Sequence, residues 1–114
     1  METQKYEDVA RPLVLACKSQ MPRDVLKAFE NMLQGGTDLP WGFWATIYSV
    51  TGATPEVLSN NQSPEVLDAA IAAVAALAAA KRGELSVAED YYEAAKSAAE
   101  KLLSMFLKSL RRDR

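Results

Sequence analysis

Apolar residues recur at three- and four-residue steps along most of this chain, the period of one helical face. Tyr6, Val9, Leu13, Ala16 and Cys17 make the first such stripe, and the spacing predicts a helix over about 3–18. Pro12 falls inside it and either kinks the helix or restarts it, because proline has no amide hydrogen to donate. Pro22 suits a first helical turn, and Val25, Leu26, Phe29, Met32 and Leu33 continue as one stripe until Gly35-Gly36, predicting a helix over about 22–34.

Asp38 and Pro40 form the next start signal, for a helix over about 40–51 with Gly52 as its C-cap. Thr54-Pro55-Glu56 opens a short helix over about 55–60, and Ser63-Pro64-Glu65 opens one over about 64–82 that Gly83 ends. Its core stripe is Leu67, Ala70, Ile71, Val74, Leu77 and Ala78. Ser86 and Glu89 have capping-box spacing. The last helix, over about 87–111, presents Ala88, Tyr91, Tyr92, Ala95, Ala98, Leu102, Met105, Phe106 and Leu110. Strand signals are nearly absent. The expectation is an all-α, single-domain compact bundle of five to six helices, with a long C-terminal antiparallel helical hairpin as its scaffold.

The stretch DLPWGFWATIY changes this picture, because it concentrates both tryptophans. On a continuous helix Trp41, Trp44, Ala45 and Tyr48 share one face, while Phe43, Ile47 and Val50 share the opposite one. A helix apolar on two sides is normally buried, so one expectation threads it through the middle of the bundle. The other leaves one stripe partly uncovered as a binding anchor, since Trp and Tyr are enriched in binding hot spots. The candidate partner-binding residues are then Asp38, Trp41, Trp44, Tyr48, Glu56, Asn60 and Asn61.

Charge sharpens the partner. No Lys or Arg lies between Lys27 and Lys81, a span that carries Glu30, Asp38, Glu56, Glu65 and Asp68. Such a block suits a partner with a basic surface, because complementary fields speed encounter. The C-terminal end is basic (Lys108, Arg111, Arg112, Arg114) and complements the negative end of a helix dipole. A nucleic-acid or acidic lipid contact is the other reading of those cations.

The chain holds no histidine, and so lacks the commonest neutral-pH base and metal ligand. Its one cysteine, Cys17, permits no internal disulfide and reads as a small core residue. Glu89, Asp90 and Glu93 cluster at a helix start, where carboxylates are favourable. The expectations are therefore no enzyme, no cofactor and no metal site. The apolar runs are too short to span a bilayer, and the polar N-terminus is unlike a secretory signal; a cytoplasmic protein is expected.

Two stretches resemble known families. TGATPEVLSN is similar to the turn and second helix of helix-turn-helix proteins, with Gly52, Ala53, Thr54 and Leu58 in matching roles. It departs where a small residue is expected and Tyr48 stands. That resemblance implies DNA binding through 41–62, but the candidate recognition helix carries no cation to neutralise phosphate. AALAAAKRGELSVAEDYYEAAKSAAE resembles one unit of a tetratricopeptide-like array, without a second copy at the repeat period. The longer stretch SPEVLDAAIAAVAALAAAKRGELSVAEDYYEAAKSAAEKLL also has the regular capping and alanine filling typical of engineered helices. The reading preferred on these grounds is a non-catalytic protein-binding module, a small adaptor or inhibitor. A helix-turn-helix DNA binder is the alternative, and a bundle holding a small apolar ligand the third.

Overall fold

The structure, a computed structural model, describes residues 3–51, 55–60 and 64–112. Among the described residues there are six α-helices and no strand: α1 Gln4–Cys17, α2 Arg23–Leu33, α3 Phe43–Thr51, α4 Pro55–Asn60, α5 Val66–Lys81 and α6 Leu85–Arg112. A 3-10 turn, Lys18–Gln20, follows α1. None of these helices is long and apolar enough to cross a membrane.

The middle of the bundle is α5, not α3. Every residue from Ala69 to Ala80 is buried, so this helix is covered on all sides. Its alanines explain why: side chains that short let several helices approach one backbone, and α1, α2, α3, α4 and α6 all touch α5. Between them, Ile71, Val74 and Leu77 fill the larger gaps. By contrast α3 exposes Ala45, Tyr48 and Ser49 and buries only Phe43 and Ile47 among its described side chains.

The return from α5 into α6 is set by Gly83. Its φ of 80° is a left-handed conformation that a side chain would strain. In this turn the Gly83 amide donates to the Ala80 carbonyl (3.1 Å) and the Glu84 amide to that of Ala79 (2.9 Å). These bonds satisfy carbonyls that the helix end would leave orphaned. With three residues between them, α5 and α6 pack along one another and share the largest contact in the fold.

Several boundaries differ from the sequence expectation. Pro12 neither ends nor divides α1, which runs through it with the proline at the surface. The buried face of α1 is Tyr6, Ala10, Val14 and Cys17, while Ala16 is exposed. The last helix begins at Leu85, so Ser86 lies inside its first turn rather than at the cap. Glu89 is held instead by α1: Tyr6 Oη donates to its Oε1 at 2.9 Å, and Lys5 Nζ pairs with the same oxygen. A tertiary partner has taken the carboxylate that a capping box would use. The apolar pattern of α6 also outlasts its covering, since every residue from 103 to 110 is exposed. Gly52, the expected cap of α3, lies outside the described residues.

Candidate partner-binding site

The aromatic stretch divides at Gly42. This glycine has φ 91°, which interrupts the helical register, so α3 starts at Phe43 and not near Pro40. Its first turn is closed by the Phe43 amide on the Pro40 carbonyl (3.0 Å) and the Thr46 amide on that of Gly42 (2.9 Å). The break separates the tryptophans. Trp41 sits in the preceding turn at 99% exposure, whereas Trp44 lies half-buried against the core. Asp38 does not cap α3; it is exposed, and its carbonyl accepts a hydrogen bond from Asn31 Nδ2 at 3.0 Å.

Within α3, Phe43 points inward at 1% exposure and meets Trp44 edge-on, centroids 5.1 Å apart. Trp44 is the middle of an aromatic series. Its ring lies 6.3 Å from Tyr48 and 6.4 Å from Tyr91 of α6. Burial pushes the Tyr91 hydroxyl up to about 12, with the nearby Tyr48 adding to the shift. Tyr91 therefore stays neutral at any physiological pH. The Trp44 Nε1 is buried with no hydrogen-bond partner among the described residues. An indole N–H left in that state is a cost the fold accepts. Tyr48, at the outer end of the series, is 49% exposed.

The same turn of α6 serves a second surface. Asp90 and Glu93, on either side of Tyr91 in sequence, line an open groove of about 520 Å³ together with Pro55, Glu56, Ser59 and Asn60 of α4. Leu58, buried, anchors α4 against α6, and Lys101 Nζ donates to the Ser59 carbonyl at 2.6 Å. A cation there is favourable at the negative end of α4. The groove thus carries three carboxylates, from Glu56, Asp90 and Glu93. Sequence spacing singled out Glu56 and Asn60, and both line it. It assigned Asp90 and Glu93 only to the helix start, because nothing in the linear pattern says that α4 lies across that turn. Asn61 lies outside the described residues, as does the 52–54 turn on which the helix-turn-helix resemblance depends.

Elsewhere, burial shifts two further ionisable groups. Burial raises the Cys17 thiol, which donates to the Leu13 carbonyl at 3.2 Å. Burial also raises the Asp68 carboxyl, helped by the neighbouring charge of Glu65. Among the described residues no three His, Cys, Asp or Glu side chains gather closely enough to hold a metal ion. No family model matches the chain, and comparison with curated proteins and with solved structures returned no match.

Proposed function

We propose that the protein is a non-catalytic protein-binding module that takes a basic partner through Trp41, Tyr48 and the carboxylates of the α4–α6 groove. The observation that carries this reading is Trp41, a large aromatic ring held by a short glycine turn with almost no contact of its own. Tryptophan is, with Tyr and Arg, among the side chains enriched at the energetic centre of protein interfaces. The carboxylates of Glu56, Asp90 and Glu93 supply the complementary field and favour Lys or Arg in the partner. The aromatic rings add cation–π attraction for the same cations. A duplex is a poor match for this surface, since phosphate would meet carboxylates rather than Lys or Arg.

Selection from a random peptide library on the immobilised protein tests the reading. Lys- and Arg-rich sequences are expected to be enriched, and Trp41→Ala should weaken their binding by about thirtyfold, the loss of a hot-spot side chain. Glu56→Lys should do the same without moving the thermal midpoint. Enrichment without charge bias, or binding indifferent to both substitutions, overturns the proposal. So does tight, sequence-selective binding to a DNA duplex at physiological salt.

A further inference from the structure

Glu56 comes to the groove of Asp90 and Glu93 because α4 lies across α6. A helix of six residues does not hold itself together in water, since nucleation costs more than so few hydrogen bonds return. The described contacts of α4 fall mostly on α6 and less on α5. Leu58 is buried, and the Ser59 carbonyl accepts from Lys101 Nζ at 2.6 Å. Apolar burial has no direction, so Leu58 alone leaves α4 room to slide, whereas the hydrogen bond fixes one placement.

Ser59 stands one residue before the end of α4, so its carbonyl is among those that a helix leaves without an internal partner. Lysine answers two needs there. It donates to the orphan oxygen, and it sets a positive charge at the negative end of the helix. Along α6, Asp90, Glu93, Ser97 and Lys101 recur at three- and four-residue steps and share one strip. The groove carboxylates and the lysine therefore lie on the same side of α6, with Lys101 about two turns beyond Glu93.

We propose that Lys101 is the positioning residue of the α4–α6 groove: its ammonium clasps the end of α4, and removing that charge releases α4 and disperses the carboxylate set. The inference rests on the partner reading above, for which the groove must be assembled. The role has a sign that a plain field effect lacks. Removing a cation from this face makes it more acidic, which by itself draws a basic partner more tightly. Losing the clasp works the other way, because Glu56 then leaves Asp90 and Glu93. Lys96 supplies the comparison, an exposed lysine of equal charge about one turn from Glu93.

Two measurements on the full chain test this, using Lys101→Met, Lys101→Arg and Lys96→Met. The Cα chemical shifts of residues 55–60 report α4 without any partner. Lys101→Met should move them towards random-coil values, since α4 is too short to stay helical once detached. Lys101→Arg, which can still donate, and Lys96→Met should keep the wild-type shifts. Binding of a decalysine peptide should weaken about tenfold in Lys101→Met, the scale of one hydrogen bond to a charged group. It should return in Lys101→Arg and be unchanged or tighter in Lys96→Met. Unchanged α4 shifts in Lys101→Met overturn the clasp, as does decalysine binding that tightens in Lys101→Met as it does in Lys96→Met. A decalysine peptide that ignores the wild type overturns the partner reading instead, and the shifts then decide the clasp by themselves.

Discussion

Tyr6 and Glu89 stand 83 positions apart and are joined by a 2.9 Å hydrogen bond from the phenol to the carboxylate. Lys5 reaches the same oxygen, and its ammonium also lies 5.1 Å from the Tyr6 ring and 4.8 Å from that of Tyr92. The Tyr6 ring in turn meets Tyr92 edge-on at 5.5 Å. One carboxylate thus gathers a cation and two rings, fastening the start of the chain to its last helix.

This cluster predicts an acid response. The hydrogen bonds from Lys5 and then Tyr6 hold the Glu89 carboxyl below its ordinary value. A lowered folded-state value means a contribution that is present above the unfolded value near 4.5 and is lost as pH falls through the folded one. The thermal midpoint should therefore drop between pH 5 and pH 3 by more in the wild type than in Glu89→Gln, with a small difference for so exposed a group. Parallel melting curves of the two proteins check it, and identical pH slopes would remove the cluster from the stability account.

Tyr91 predicts an alkaline response of the opposite sense. Its hydroxyl is pushed up to about 12, so the fold favours the neutral form. That contribution is complete below the unfolded value of 10.0 and disappears as pH rises through about 12. Absorbance titration at alkaline pH should resolve a late-ionising tyrosine that is missing in Tyr91→Phe. A wild-type titration finished by pH 11 would contradict the burial.

The alanines of α5 should resist enlargement. Ala72 and Ala76 are each 1% exposed where α5 is enclosed, and a leucine at either should cost about 1–3 kcal/mol through overpacking. Leu77→Ala, at a fully buried position, should cost about 2–5 kcal/mol through the cavity it leaves. Urea denaturation of the variants measures both. A neutral Ala76→Leu would mean that the helices around α5 stand farther apart than described.

Neighbouring aromatics should behave in opposite ways. Trp41→Ala should change stability by less than about 0.5 kcal/mol, as for an isolated surface side chain. Phe43→Ala, two residues on, should cost about 3–5 kcal/mol as a deleted core ring. Fluorescence adds a second readout, because removing Trp41 takes away the solvent-exposed, red-shifted part of the emission and leaves that of half-buried Trp44. Equal effects of both substitutions would contradict the break at Gly42.

Helix type and order were legible from the linear pattern, because periodicity and the Gly/Pro punctuation act over four or five neighbours. Gly83 ended its helix as expected, since a left-handed turn excludes most side chains whatever surrounds it. The expected capping box at Ser86 gave way to the bond between Tyr6 and Glu89, a contact that no local window contains. Spacing placed Trp41 and Trp44 on one face only by assuming an unbroken helix, and Gly42 interrupts it. The carboxylate groove was half legible: Glu56 and Asn60 stood out beside the aromatic stretch, while Asp90 and Glu93 acquired their place only when α4 came to lie on α6.

By itself, then, the sequence determined six amphipathic or apolar helices, their order, and the separation of charge along the chain. Which helix takes the middle was decided by tertiary packing. Both α3 and α5 are apolar on more than one side, but alanine lets neighbouring backbones approach from every direction, and tryptophan does not. The reach of α6 past its neighbours was decided in the same way. A stripe of leucines reads alike whether or not another helix covers it, and only the length of α5 beside α6 leaves Leu103 to Leu110 bare.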